Sequence, residues 1–273
     1  MKNKIAQTAL IEKARTTKPL VHHITNYVSV NDCANITLAI GGSPIMADAI
    51  EEIADIVGIS SSVVLNIGTL NTTTLKSMIA AGKKANELDI PVIFDPVGAG
   101  ASTFRNKAVE DILKEIKPAI IKGNISEICY IAGFKPHTRG VDASPNNLEY
   151  TEIKSMIEDL ARKFNCVIAV TGTIDFVSNG NKTISIKNGH SMLSQLTGTG
   201  CMCSSLIGVL SSMNKTKVFE STVTAMLSMG IAGEIAFENE GKNGSGSFHT
   251  ALINAIGLMN TDMIVRRMVL DEI

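Results

Sequence analysis

The sequence predicts an α/β fold: a single domain over residues 1–273, with a mostly parallel central sheet and helices on both its faces. Three observations carry this expectation. Short, nearly continuous apolar runs alternate with longer amphipathic segments, and strands apolar on both faces belong to covered parallel sheets. No low-complexity linker divides the 273 residues. The composition, 45% hydrophobic and 19% charged, supplies a large core and lies far from that of disordered chains.

Taken in order, residues 3–16 place Ile5, Ala9, Ile11 and Ala14 among polar positions and predict a short amphipathic helix that ends before Pro19. Residues 20–24 form an apolar stretch containing His22 and His23. Adjacent strand residues point to opposite faces, so the two histidines cannot share one metal, and a structural role is the default. Residues 29–40 read as a helix leading into the turn Gly41-Gly42-Ser43-Pro44. Strands are then predicted at 62–67, 90–95, 119–122 and 167–171, with helices at 72–88, 103–116, 126–132 and 149–164 and a polar loop through Asn146. Residues 175–178 and 183–187, joined by Asn179-Gly180-Asn181, predict an antiparallel hairpin through an Asn-Gly turn. Beyond residue 200 the pattern is helical over 201–213, 217–239 and 248–268, with 241–246 as the break.

Composition also excludes several function classes. A net charge of −1 with no basic run argues against a nucleic-acid partner. No apolar run approaches the roughly 18–20 residues of a membrane span. Five cysteines, Cys33, Cys129, Cys166, Cys201 and Cys203, are an odd number, and the polar start of the chain carries no secretory signal, so reduced thiols in the cytoplasm are expected. Cys201-Met202-Cys203 has the wrong spacing for a zinc knuckle or a redox pair.

Chemistry is expected beyond the carboxyl ends of the parallel strands. Asp95-Pro96-Val97-Gly98-Ala99-Gly100, Lys122-Gly123-Asn124 and Thr171-Gly172-Thr173 all follow predicted strands. Thr197-Gly198-Thr199-Gly200-Cys201 opens directly into an apolar helix, where the first amides lack internal partners and the dipole favours an anion. Cys201 falls in that first turn, in a field that also favours a thiolate. A tight turn with a buried cysteine is the competing reading. Gly98-Ala99-Gly100 lacks the third glycine of a dinucleotide fingerprint, and no Gly-Lys-Ser/Thr closes a P-loop. Asn124 and Glu127, three apart at a helix start, could orient waters around Mg²⁺ or simply form a capping box.

Together these residues resemble the hydroxyethylthiazole kinase family of the ribokinase-like kinases, along nearly the whole chain. The resemblance rests on Ile24-Thr25-Asn26-Tyr27-Val28, Gly42-Ser43-Pro44-Ile45-Met46-Ala47-Asp48, Leu65-Asn66-Ile67-Gly68-Thr69-Leu70, Asp95 to Ala101, Gly123-Asn124 with Glu127, and Gly198-Thr199-Gly200-Cys201-Met202. It implies ATP-dependent phosphorylation of the alcohol of 4-methyl-5-(2-hydroxyethyl)thiazole, with Mg²⁺, in thiamine biosynthesis. It further implies that Met46, Gly198 and Asn26 meet the thiazole, that Lys122, Thr171 and Gly200 lie against ATP, and that Asp95 and Glu127 serve Mg²⁺. Cys201 stands where ribokinase relatives place an aspartate base. A homotrimer with its substrate pocket at subunit contacts is implied as well. Two departures stand out: Lys122 replaces the usual arginine, a point charge for a bidentate fork, and His23 replaces a frequent cysteine. The rival readings are a hydroxymethylpyrimidine kinase, which shares the glycine loop, and a non-catalytic nucleotide-binding regulator, which would have little reason to keep Asp95, Asn124, Glu127 and Cys201 together.

Overall fold

The computed structural model describes residues 9–133 and 148–273. Within them the chain builds one nine-stranded sheet in the order β2-β1-β3-β4-β5-β6-β7-β8-β9. The strands are β1 (Leu20–Ile24), β2 (Ser43–Met46), β3 (Ser62–Asn66), β4 (Val92–Asp95), β5 (Ile120–Asn124), β6 (Val167–Thr171), β7 (Asp175–Ser178), β8 (Thr183–Ile186) and β9 (Leu270–Glu272). All pairings from β2 to β6 are parallel, and those from β6 to β9 are antiparallel. The α/β reading therefore holds, and the Asn-Gly hairpin is the β7–β8 pair.

The helices are α1 (Ala9–Thr17), α2 (Val30–Ile40), α3 (Ile53–Ile59), α4 (Thr72–Glu87), α5 (Thr103–Glu115), α6 (Ile125–Ile131), α7 (Tyr150–Phe164), α8 (Thr199–Ser212), α9 (Val218–Glu240), α10 (Ser245–Leu258) and α11 (Thr261–Arg267). Successive strand side chains alternate between two cores, as the pleat requires. Val64, Ile93 and Ala169 join the core under α1, α2, α8, α9 and α10. Val63, Leu65, Phe94 and Ile168 join the opposite core, under α3 to α7. Helix ends follow local chemistry. Asn71 caps α4, its Oδ1 accepting from the Thr73 and Thr74 amides at 2.9 Å, while Thr74 Oγ1 accepts from the Asn71 amide. α7 buries Ile153, Ile157, Leu160 and Ala161 on one stripe and stops at Asn165, whose φ of 49° is left-handed.

Four features differ from the expectation. Ser43 and Pro44, read as a turn, begin β2; this is the sheet edge, where proline costs no ladder hydrogen bond. α3 and β9 have seven and three residues, too short to show a period. The last predicted helix is two, because Asn260 caps a new one by accepting from the Met263 amide. The predicted first helix begins at Ala9 within the described residues; positions 3–8 lie outside them, as does most of the polar loop before α7.

α8 packs directly on the sheet through Gly208. A Cβ there would stand 2.8 Å from Val64 Cγ2 and 3.1 Å from Val21 Cγ1. Ser62 Oγ donates to the Gly208 carbonyl at 2.8 Å, and Ser204, one turn earlier, donates to Asp95 Oδ2 at 2.7 Å.

Candidate active site

Six parallel strands end at one rim. In sheet order β2, β1, β3, β4, β5 and β6 finish at Met46, Ile24, Asn66, Asp95, Asn124 and Thr171. Parallel strands all direct their carboxyl ends the same way, so residues far apart in the chain reach a common edge. Met46, Asp95 and Thr171 are thereby brought to that edge, with Asn26 two residues beyond β1.

α8 brings Gly198, Gly200 and Cys201 to the same place. Gly198 caps it with φ 85°, a conformation that needs glycine, and a Cβ there would stand 2.9 Å from Ser29 Cβ. No side chain caps the helix; its first backward amide is Met202, which donates to the Gly198 carbonyl at 2.8 Å. The amides of the first turn are thus left to a ligand at the positive end of the dipole. Thr199 Oγ1 donates to the Leu193 carbonyl at 3.0 Å and ties this turn to the preceding 3₁₀ segment, Ser191–Gln195.

Beside this turn lies a cavity of about 460 Å³, lined in part by Thr171, Asp175, His190, Thr199 and Gly200. Its size is that of a small-molecule site. Burial raises the Asp175 carboxyl to about 7, against the Gly172 amide that donates to it at 2.9 Å. His190 stacks on Phe237 with ring centroids 3.6 Å apart.

Lys122 is 3% exposed and donates to the Gly200 carbonyl at 2.9 Å, with Nζ 3.8 Å from Asp95 Oδ2. Burial alone would depress its ammonium, but Asp95 and the nearby thiols and Glu127 outweigh it, so the amine is held above its ordinary value and stays a cation. Lys122 thus reaches the first turn of α8 and the buried Asp95 at once. Glu127 forms the capping box: its Oε2 accepts from the Asn124 amide at 2.8 Å, and Asn124 Oδ1 accepts from the Glu127 amide at 3.0 Å. Its other oxygen accepts from the Gly98 amide at 2.9 Å, tying the loop after β4 to α6.

Among the described residues no three histidine, cysteine or acidic side chains cluster as a metal cage. Asp95 and Glu127 nonetheless fit a Mg²⁺ that arrives with a nucleotide, because such ions keep waters and need only one or two carboxylates besides phosphate oxygens. Asp95 is among the groups that raise Glu127, after burial itself.

Cys201, partly exposed, sits in a polar network. The Asn26 and Asn66 side-chain amides both donate to its sulfur, each at 3.2 Å. The sequence signal of Asn66 is a polar residue ending an otherwise apolar strand. Two further groups escaped the sequence reading. Arg105 donates to the carbonyls of Ile67, Gly68 and Val97, clamping the loops after β3 and β4 together. His249 Nε2 lies 2.9 Å from Asp32 Oδ1, behind Gly198. Neither sits in a motif: Arg105 reaches Ile67 and Gly68 from a helix 37–38 residues on, and His249 reaches Asp32 across most of the chain.

On the β2 side of the rim Tyr27 is 78% exposed, and Val28, Met46 and Ile50 are also exposed. No helix among the described residues is long and apolar enough to cross a membrane.

A profile of the hydroxyethylthiazole kinase family matches residues 11–262. The chain is 52% identical over 266 residues to a hydroxyethylthiazole kinase of Ruminiclostridium cellulolyticum, covering 97% of each chain. It is 51% identical to that of Clostridium beijerinckii, over 97% of this chain and 96% of the relative. The solved hydroxyethylthiazole kinase of Pyrococcus horikoshii superposes with a TM-score of 0.89 at 37% identity over the whole of both chains. A Staphylococcus aureus pyridoxal kinase, solved with ADP, shares the fold alone, at TM-score 0.63 and 11% identity over 80% of this chain and 88% of that one.

Proposed function

The chain belongs to the hydroxyethylthiazole kinase family, and from that premise we propose that its single domain transfers the γ-phosphoryl group of ATP to the primary alcohol of 4-methyl-5-(2-hydroxyethyl)thiazole. The observation that carries this reading is the placement of Cys201. Its sulfur stands in the first turn of a helix that no side chain caps, beside a cavity of small-molecule size.

The geometry supports a division of labour. The amides of residues 199–201 hold the transferring phosphoryl group, and the Lys122 cation, bound to the Gly200 carbonyl, adds positive charge beneath it. Thr171 and Gly200 line the nucleotide side. Met46, Asn26 and Gly198 form the acceptor side. The alcohol gives its proton to Cys201 Sγ as its oxygen bonds to the γ-phosphorus, and the bond from that phosphorus to the bridging oxygen breaks to release ADP. Asp95 and Glu127 would face a nucleotide-bound Mg²⁺, which supplies charge neutralisation on the phosphate oxygens. The exposed apolar set around Tyr27 and Met46 supports a homotrimer closed at the acceptor side, acting in the cytoplasm.

A coupled assay of ADP release tests the reading. ATP turnover should require Mg²⁺ and the thiazole alcohol, and a hydroxymethylpyrimidine alcohol should be a poor acceptor. Equal turnover of the pyrimidine, or no turnover with either alcohol, would overturn it.

A further inference from the structure

The two amide groups that reach Cys201 have no freedom left. Asn66 Oδ1 accepts from the Gly68 amide and from Asn26 Nδ2, both at 2.9 Å. Its Nδ2 donates to Asp95 Oδ2 at 2.8 Å and to Cys201 Sγ. Asn26 Oδ1 accepts from both the amide and the hydroxyl of Ser29 at 3.0 Å, leaving its Nδ2 for Asn66 Oδ1 and Cys201. Every donor and acceptor of both side chains is therefore used. Two backbone N–H groups, those of Gly68 and Ser29, decide which end of each amide is oxygen, since a flipped amide would set N–H against N–H. Both residues are buried. The sulfur consequently meets N–H groups, never a carbonyl, from either side chain.

We propose that Asn66, locked by Gly68 and Asp95, is a positioning residue that works with Asn26 to hold the Cys201 sulfur as a hydrogen-bond acceptor aimed at the substrate alcohol. An acceptor sulfur does not spend its own proton on its neighbours, and donors aimed at a sulfur that gains charge are the stronger kind. Asn66 also joins the sulfur to Asp95, which accepts from Ser204 of the same helix. The proposal deepens the reading of Cys201 as proton acceptor and rests on it for its kinetic consequence, but the chemical state of the sulfur is measurable without turnover.

The experiment is the rate at which iodoacetamide alkylates Cys201 at neutral pH, followed by peptide mass spectrometry in the free enzyme. Cys33, Cys129, Cys166 and Cys203 are buried and act as internal blanks. Alkylation reads the thiolate. Asn66→Ala removes one donor and should slow the reaction about tenfold, the scale of one hydrogen bond to a charged group. Asn66→Asp keeps the shape but sets a carboxyl oxygen against the sulfur, and should slow it further. That order is electrostatic, because alanine is the larger packing defect. Unchanged rates in the folded variants, or aspartate faster than alanine, would overturn the proposal. If neither variant folds, Asn26→Ala removes the second donor, and an unchanged rate there overturns it equally. In turnover, Asn66→Ala should lower kcat with KM for ATP held, and should have no further effect on kcat in a Cys201→Ala background. Unchanged kcat in Cys201→Ala alone would refute the base role while leaving the alkylation rates to judge Asn66.

Discussion

Replacing His23 by cysteine should make the fold less sensitive to mild acid. His23 is 1% exposed on β1, and its Nε2 lies 3.3 Å from Thr37 Oγ1. The Thr37 hydroxyl already donates to the Cys33 carbonyl at 2.7 Å, so Nε2 must be the donor and Nδ1 bears no proton. Nδ1 has no partner among the described residues, and protonation would bury an N–H there with nothing to accept it. Burial, with His22 beside it, pushes the imidazole down from its ordinary 6.5 to about 3. Between those two values the unfolded chain binds a proton that the folded chain does not, so stability falls as pH drops from 6.5 toward 3. The slope is about 1.4 kcal/mol per pH unit, which amounts to roughly 2 kcal/mol by pH ~5. Urea unfolding of both proteins at neutral pH and near pH 5 reads this directly. The smaller cysteine leaves a cavity, but that cost is the same at both pH values and cancels. The stability gap between wild type and His23→Cys should thus close by about 2 kcal/mol on acidification. The variant keeps the part belonging to His22, which burial also lowers. Equal pH slopes in the two proteins would refute the reasoning.

At the site itself, Cys201→Ala should lower kcat by about 10² with little change in KM, and Cys201→Asp should keep activity, since a proton acceptor is all that is required; steady-state kinetics with the thiazole alcohol decides. Lys122→Met leaves the buried Asp95 without its cation and should cost about 3–5 kcal/mol in urea unfolding, part of which Asp95→Asn in the same chain should restore. Gly208→Ala drives a methyl into Val64 and Val21 and should cost about 1–3 kcal/mol, read as a lower Tm, together with a fall in kcat.

The parallel strands and their intervening helices were legible because each buries a stretch long enough to show its period. β2 was hidden by Pro44, whose usual meaning as a breaker holds only away from a sheet edge. β9 is three residues long and exists through its pairing with β8, a contact 84 to 88 positions away in the chain that no local pattern reports. The Gly198–Cys201 turn was legible, since two glycines ahead of an apolar helix have a mechanical meaning on their own. Asn124 and Glu127 were legible as a pair; the structure shows the capping box and adds the Gly98 amide, which lies on another loop. Asn66, Ser204 and Arg105 were not legible as site residues, because their partners come from different strands and helices. A polar network of this kind is a property of the assembled rim, and each member alone looks like an ordinary polar residue near a turn.

The close seat of α8 on the sheet has a consequence for how the catalyst can change over time. Gly208 lies eight residues, or about 12 Å of helix, from Gly200, and the helix is pinned to the sheet at Gly208 and again at Ser204. The turn proposed to receive the phosphoryl group is therefore the tip of a rigid rod whose height is set deep in the interior. Two of the three residues proposed for the acceptor side, Asn26 and Met46, belong by contrast to the ends of β1 and β2 at the sheet margin. Drift there can retune which alcohol is accepted without disturbing the handling of the donor, whereas a single added methyl in the interior disturbs the donor end for every acceptor alike.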